Sequence, residues 1–537
     1  MSKVVVTEQY LTDIADAIRE KNGSESTYTP GQMAYAIETL PAGGAEVEAL
    51  SVTENGVYTA PEGMAYSPVT VNVVPNVVYG FHIDSSESDP SDAVTYLEDA
   101  VGLTPAHMDF TEDAFVWGSW ADAFFLPRPC MLRYDGTVAY YLDPDDYTKK
   151  ADGTASDVAD DTFPGNAMME WGRDGKKIWY KIVPDAGDST SASVYITDYA
   201  ADDSYRAWSF VNNQGVFVDH FYTPIYNGAL DSGGKLRSIS GKANTALCQG
   251  KTAAQEVAAA ELNNPGTDKL WYTETYADVT LINLLLILMG KSLNTQAVFG
   301  TGRCGQTNAT SSMLGTGTMN AKGLFWGSSE NAYGVKVFGM ENWWGNQWRR
   351  HAGHMLVGYV HKYKMTRGAQ DGSAAEDYNT AATGYLTGAE APHSTGYVRK
   401  MAFDANGFMA SAIGGNSAIY WCDNWYTGGA GTVYALRGAS CGINEGYVGA
   451  FYVNTLSTLT SIWSIGAAPS CKPLGTVLQS KTATANGVVV PDAGYDGLSS
   501  VTVAVPVRCA RGAGESVFQM AQYNAAYASS ATATVIE

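Results

Sequence analysis

Residues 420–473 read YWCDNWYTGGAGTVYALRGASCGINEGYVGAFYVNTLSTLTSIWSIGAAPSCKP and alternate a regular frame with positions of no consistent chemistry. The frame pieces are Ala435-Leu436-Arg437-Gly438, Gly449-Ala450-Phe451, Trp463 and Ile465-Gly466-Ala467. A catalytic site needs a few side chains of defined type at defined positions. A recognition face needs many adaptable side chains, led by Tyr, Ser, Gly and Asn, on a rigid support. The segment therefore predicts a recognition face on a rigid frame.

The surrounding residues, 78–475, are predicted to form one large domain that contains this segment, with its variable region at about 420–470. Short strands are expected at 79–83, 177–182 and 192–196, and helices at 92–100, 253–262 and 276–289. Gly- and Asn-rich connections fill the remainder. These proportions predict an α+β fold with much irregular loop.

Smaller modules flank the large domain. In residues 1–41, Leu11, Ile14, Ala15 and Ile18 follow helical spacing, and Thr29-Pro30-Gly31-Gln32 carries an N-cap, a first-turn proline and a capping-box glutamine. A short β module is expected in residues 45–76, and a related one, with a tail, in residues 476–537. Each module pairs an Asn-Gly turn with a Ser-x-Val-Thr-Val-x-Val strand about a dozen residues later.

Composition limits the possible partners. The net charge of −22 disfavours nucleic acid and anionic membranes. The most apolar run, LINLLLILM at 281–289, is much shorter than the roughly 20 residues that span a bilayer, and the N-terminus lacks the apolar stretch of a signal peptide. We therefore expect no membrane insertion and synthesis in a cytoplasm. The seven cysteines lack metal-site spacing, which favours buried free thiols.

The flanking modules resemble tail-associated proteins of phages and prophages of Gram-positive gut bacteria. The resemblance is carried by Leu11-Thr12-Asp13-Ile14-Ala15-Asp16-Ala17-Ile18-Arg19, by Tyr28-Thr29-Pro30-Gly31-Gln32-Met33 and by the paired β segments. It implies that the N-terminal module contacts phage tail or baseplate proteins. It also implies a virion protein that is assembled in the host cytoplasm and acts extracellularly.

The segment FGMENWWGNQWRR at 338–350 resembles the C-type-lectin fold of formylglycine-generating enzymes. With Arg437-Gly438 and Trp463-Ser464-Ile465-Gly466-Ala467 it resembles the variable proteins of diversity-generating retroelements, in which a reverse transcriptase randomises adenine-containing codons on the ligand face. The resemblance implies aromatic residues that pack the core and an Asn-Gly turn that shapes the sheet. One departure is Arg437-Gly438-Ala439, where the family usually has Arg-Gly-Gly.

The resemblance implies a diversified ligand-binding face made of residue types that adenine mutagenesis of an Asn-type codon can produce. The predicted face residues are Tyr420, Asp423, Tyr426, Tyr434, Ser440, Gly442, Ile443, Asn444, Tyr447, Val448, Tyr452, Leu456, Ser457, Leu459, Ser461, Ile462 and Ser464. Trp421, Trp425 and Trp463 cannot arise in that way, so we assign them to the frame. The expected function is host adsorption through a bacterial cell-surface receptor, protein or glycan. Many weak contacts per face would need multivalency, so a homotrimer is expected.

Two enzyme alternatives and a structural tail role remain open at this point. The local cysteine pair of formylglycine-generating enzymes is missing, because Cys422, Cys441 and Cys471 lie far apart. A tail-spike glycan hydrolase would need two carboxylates across a sugar bond, and the acidic clusters at 143–146 and 157–161 supply candidates, although such clusters are typical of solvated turns. His351 and His354 would share one face of a helix, as a structural pair or as rim residues. We predict no catalytic residue, no metal and no cofactor.

Overall fold

The computed structural model describes residues 8–22, 27–29, 32–33, 46–52, 64–71, 77–212, 215–366, 384–457, 460–474, 479–482, 502–504 and 532–536. The chain divides into two compact units, Met1–Asn76 and Val77–Glu537. Strands far outnumber helices in the described residues, and irregular loops connect them. The coarse prediction of a fold that mixes strands with few helices therefore agrees with the structure. The four-part domain division stays a prediction.

The first described element of the first unit is the predicted helix, α1 at Glu8–Asn22. The Thr29 amide donates to Gln32 Oε1 at 2.9 Å, which confirms half of the predicted capping box. Met33 packs with the buried Ala15 and Ile18. Strands β1, Glu46–Val52, and β2, Met64–Val71, form a parallel pair, and the Asn55-Gly56 turn lies outside the described residues.

The second unit contains a four-stranded antiparallel sheet and a six-stranded antiparallel sheet. The first has the order β10-β11-β3-β4, with β3 at Val78–Ile83, β4 at Val94–Glu98, β10 at Trp179–Asp185 and β11 at Asp188–Thr197. The second has the order β15-β27-β12-β9-β7-β8, with β7 at Arg128–Arg133, β8 at Val138–Tyr141, β9 at Gly165–Trp171, β12 at Phe221–Pro224, β15 at Trp271–Thr273 and β27 at Pro469–Cys471. Strands β7 and β27, which are far apart in the chain, thus belong to the same sheet.

A nine-stranded sheet carries the segment from which the face was predicted. Its main path is β20-β19-β18-β24-β25-β23-β21-β22, and β26 pairs with β18. The strands are β18 at Trp348–Val357, β19 at Val360–Tyr363, β20 at Leu386–Glu390, β21 at Gly396–Phe403, β22 at Phe408–Ile413, β23 at Asn424–Tyr426, β24 at Thr432–Arg437, β25 at Val453–Leu456 and β26 at Ile465–Gly466.

Short pairs and one further sheet complete the described strands. The pairs are β5 at His107–Asp109 with β6 at Ala114–Val116, β13 at Ala229–Leu230 with β14 at Leu236–Arg237, and β16 at Lys336–Val337 with β17 at Met340–Glu341. The further sheet has the order β28-β30-β29, with β28 at Gln479–Thr482, β29 at Thr502–Ala504 and β30 at Thr532–Ile536. Strand β29 lies within the predicted C-terminal β repeat.

The core is built around one helix, α3 at Tyr276–Gly290, in which every residue is buried. It contacts β3 on the four-stranded sheet and β18 on the nine-stranded sheet. The Tyr96 hydroxyl donates to Leu288 O at 2.7 Å, and Asn283 Nδ2 donates to Ala450 O at 3.1 Å. Because the helix is buried all round, it needs no solvent-facing polar side. Helices α2, Ala253–Glu261, and α4, Thr295–Phe299, flank it in the chain, and α2 and α3 confirm two of the predicted helices.

The helix predicted at 92–100 is wrong, because these residues contain strand β4. Val94 and Tyr96 are buried and pair with Ile83 and Phe81 of β3. Thr95 lies between them and is exposed. This period of two matches the pleat of a half-buried strand, and pairing with β3 outweighs the local helical tendency.

His351 and His354 lie on a strand rather than on a helix. Both are buried in β18 and form a chain with His361 of β19. His354 Nδ1 lies 3.3 Å from His351 Nε2, His354 Nε2 lies 2.9 Å from His361 Nδ1, and His361 Nε2 lies 2.9 Å from Ala410 O. Since Ala410 O can only accept, each ring donates through Nε2 if all three imidazoles are neutral. The three rings line a small cavity of about 40 Å³.

Candidate functional site

The frame of the predicted face is anchored by a buried ion cluster. Arg349 of β18 and Arg437 of β24 are directly opposite one another in register. Glu274 lies between them, with Oε1 2.5 Å from Arg437 Nη2 and Oε2 3.3 Å from Arg349 Nη1. The guanidinium carbon of Arg437 lies 3.6 Å from the centre of the Trp343 ring. Burial and the neighbouring Arg349 lower the pKa of Arg437 to about 9, so Glu274 is the group that offsets the two close cations.

The segment 338–350 holds the start of the variable region. The Gly345 amide donates to Gly438 O at 2.6 Å, and the Cys441 amide donates to Asn346 O at 3.0 Å. The Asn346 side chain accepts from the Leu314 amide at 2.7 Å. Trp343 and Trp344 are buried, as the resemblance implied for these aromatic residues. These contacts join the chain that follows β24 to a rigid, aromatic-packed turn.

The other end of the variable region is also held. Strand β26 pairs in parallel with Trp348 and Arg349 of β18. Just before it, Trp463 packs against the buried Leu247, Met313 and Cys441, as a frame residue should. Residues 438–464 are therefore fixed at both ends to neighbouring positions on the same strand, β18.

The predicted face residues fall into three groups by burial. The exposed ones are Tyr426, Asn444, Tyr447, Ser457, Ser461 and Ile462. The partly buried ones are Tyr420, Gly442, Ile443 and Leu456. The buried ones are Asp423, Tyr434, Ser440, Val448, Tyr452 and Ser464, and Leu459 lies outside the described residues. We call the six exposed residues the display set.

The buried group supports the face and does not present side chains to a ligand in this structure. Asp423 accepts the Phe451 amide at 2.6 Å, and burial raises the pKa of its carboxyl well above the ordinary range. Tyr452 packs edge-on against Trp348, with ring centres 4.9 Å apart. Tyr434 lies opposite Met355 in β18 and is buried with it. Strand register and turn geometry determine which of these residues are buried. The residue types that adenine mutagenesis can produce do not indicate it.

Tyr447 of the display set and its neighbours Glu445 and Ile443 contact residues from distant parts of the chain. The Tyr447 ring lies 5.4 Å from that of Tyr397, edge to face. Glu445 accepts from the Asn331 amide, and the Gly305 amide donates to Ile443 O at 2.6 Å. Neither Tyr397 nor Asn331 was predicted, because no sequence pattern links these segments to the variable region.

The display set covers more than one neighbourhood. Burial raises the pKa of Tyr452, and the neighbouring Tyr447 and Tyr426 raise it further. Both tyrosines therefore lie close to Tyr452. Ile462 lies instead beside Gly250, whose amide donates to Ile462 O at 3.1 Å. Tyr426 and Tyr447 thus share Tyr452 as a neighbour, whereas the backbone of Ile462 is bonded to Gly250.

The described thiols are buried, and the described acidic clusters lie in turns. Burial raises the pKa of Cys422 to about 12 and that of Cys441 to about 11, so these thiols are protonated at neutral pH. All six described cysteines are free and buried, as predicted. Asp143 and Asp160 accept backbone amides two residues ahead, in the turns expected for acidic clusters. Among the described residues no group of His, Cys, Asp and Glu is arranged to hold a metal ion.

Gly449 provides a test of how tightly the frame is packed. A Cβ at this position would lie 2.1 Å from Asp423 Oδ1, whereas one at the open Gly431 would meet nothing within 4 Å. We expect Gly449→Ala to lower the free energy of unfolding by about 1–3 kcal/mol, because the carboxylate must move and lose its amide partner. Gly431→Ala is the matched control and should be nearly neutral. Chemical denaturation of both variants measures the difference, and equal stabilities would contradict the packing described.

No helix in the described residues has the length and apolar character needed to cross a bilayer. Comparison of the sequence with protein-family models and with curated proteins gives no match.

Proposed function

We propose that this chain is a phage tail-tip or fibre receptor-binding protein with a C-type-lectin-like domain that displays a diversified face to the bacterial surface. The observation that supports this most is the anchoring of residues 438–464 at both ends to β18. Between the anchors, Asn444, Tyr447 and Ile462 are exposed while the frame is buried. Such an arrangement lets displayed side chains vary without unfolding the domain.

The chemistry of the display set suits recognition. Tyr426, Tyr447 and Ile462 have 43%, 38% and 44% of their surface exposed, which is unusual for large apolar or aromatic side chains in this protein. Tyrosine offers rigid amphipathic contact area, while Asn444 and the serines supply adaptable hydrogen bonds. The receptor would be a protein or a glycan of the bacterial cell surface.

Assembly is part of the proposal. Residues 1–41 would anchor the chain to tail or baseplate proteins, and a homotrimer would present several faces to one cell. Multivalent attachment makes weak contacts at each face sufficient to hold a cell. The protein would be assembled in the host cytoplasm and would act outside the cell as part of the virion.

Binding to intact cells tests the proposal. Fluorescently labelled protein is incubated with a panel of Gram-positive intestinal bacteria, and bound protein is measured by flow cytometry. We expect at least one strain to bind the wild-type protein. A triple variant, Tyr426→Ala with Tyr447→Ala and Ile462→Ala, should lose at least about tenfold in affinity, because aromatic anchors dominate binding energy.

The matched control removes exposed apolar side chains elsewhere. Phe217, Leu262 and Leu386 are 50%, 53% and 47% exposed, so replacing all three by Ala removes large exposed apolar side chains outside the display set. The control variant should bind like the wild type. Binding that the display variant keeps would contradict the proposed site, and a panel without any binding strain would contradict the function.

A further inference from the structure

A long cleft lies in the second unit, formed by residues that the variable face does not use. One part has a volume of about 460 Å³ and lies beside Arg128 and Tyr141. The other has a volume of about 440 Å³ and lies beside Asp113 and Trp326. Trp117, Pro144 and Leu324 line both parts, so the two parts are continuous. Each volume is in the range of pockets that bind small organic ligands.

Aromatic rings form rigid walls along this cleft. Trp117 is braced by Phe115 and Phe325, with ring centres 5.0 and 5.5 Å away. Phe115 and Phe325 stack on one another at 4.6 Å. Trp117, Trp326 and Tyr141 are only partly buried, so each exposes part of its ring. The cleft therefore offers aromatic surfaces whose orientation is fixed before any ligand binds.

The polar groups of the cleft are also held in place. Asp113 accepts from Lys322 Nζ at 2.8 Å and from Trp326 Nε1 at 2.7 Å. Arg128 donates to the buried Glu170 at 2.8 Å and lies 4.5 Å from the centre of the Tyr141 ring. Since these charges pair within the protein, the cleft provides oriented donors and acceptors without a strong net charge. That arrangement fits a ligand rich in hydroxyl groups better than one that carries a formal charge.

We infer that this cleft binds a neutral oligosaccharide. A sugar ring has an apolar C–H face, which can stack on Trp117 or Trp326, and peripheral hydroxyls, which can bond to Asp113, Asp145 or Arg128. Alternating aromatic and polar groups along one cleft match the repeat of such rings along a glycan. The site is separate from the display set in sequence, so it would be a fixed glycan site that accompanies the variable face.

Titration with soluble trisaccharides tests the inference. The probes are maltotriose, cellotriose, mannotriose and chitotriose, added to the full chain and followed by saturation-transfer NMR and calorimetry. At least one should bind at concentrations up to about 10 mM, and Trp117→Ala and Trp326→Ala should each weaken it at least about tenfold. Val183→Ala, which changes an exposed side chain outside both the cleft and the display set, should leave it unchanged.

Thermal unfolding of each variant separates loss of the site from loss of the fold. Trp326 lies at the rim, so its replacement keeps the test valid if Trp117→Ala unfolds the protein. Two results would overturn the inference: no binding of any of the four sugars, or binding that both tryptophan variants retain. The cell-binding test uses other variants and other probes, so either proposal can fail alone.

Discussion

The Glu274→Gln variant should lose about 3–5 kcal/mol in its free energy of unfolding, because it removes the one carboxylate that lies between two buried guanidinium groups. Arg349 and Arg437 are both 2% exposed in their side chains and are opposite one another across the sheet. Glutamine keeps the shape of the side chain but not its charge. The arginines then face one another without a counter-charge in a site from which water is excluded.

The control for this prediction is an exposed ion pair. Lys177 Nζ lies 2.7 Å from Asp219 Oδ1, and the Asp219 side chain is 71% exposed. Asp219→Asn should leave stability nearly unchanged, because water screens the pair. Urea denaturation of both variants measures the two effects. A Glu274→Gln protein as stable as the Asp219→Asn protein would show that the cluster does not hold the frame.

The buried histidine chain should make the protein less stable in acid. Burial lowers the pKa of His361 to about 4, and burial together with Arg437 lowers that of His351 to about 3. Below about pH 6.5 the unfolded chain therefore binds more protons than the folded chain. As the pH is lowered further, the free energy of unfolding decreases by up to about 1.4 kcal/mol per pH unit for each histidine, until the pH reaches the pKa of that histidine in the folded protein.

His361→Gln isolates this contribution. Glutamine can donate to Ala410 O and accept from His354, but it does not titrate. When the pH is lowered from about 6.5 to 4, the wild type should lose about 3 kcal/mol more of its free energy of unfolding than the variant loses. Glu256, whose pKa burial raises to about 7, titrates in both proteins, so its opposite effect cancels. Parallel stability curves for the two proteins would contradict the neutral histidine chain.

The sequence pattern predicted helices α2 and α3 but missed elements whose burial depends on pairing with distant strands. Helix α3 contains the continuous apolar run 281–289, and the structure shows that α2 begins at a capping box formed by Thr252 and Gln255. Strand β4 was missed because the burial of Val94 and Tyr96 depends on their pairing with β3. The same holds for His351 and His354, since only the strand neighbours of β18 reveal that they are buried.

The predicted face stays a prediction, and the sequence did not indicate which of its residues are buried. Trp421, Trp425 and Trp463 were assigned to the frame, and the first two are buried. Six predicted face residues are buried as well, because tyrosine and serine occur on both sides of a sheet. The cross-strand pair of Arg349 and Arg437 and its bridge to Glu274 could not be read from the chain, because the two strands lie far apart in sequence.

The measurement that tests the central claim most directly is simultaneous substitution of the whole display set. A library that varies Tyr426, Asn444, Tyr447, Ser457, Ser461 and Ile462 is selected for binding to strains that the parent does not bind. We expect selected variants that bind new strains and unfold within a few degrees of the parent. Loss of folding in most variants, or no gain of a new target, would contradict a variable face on a rigid frame.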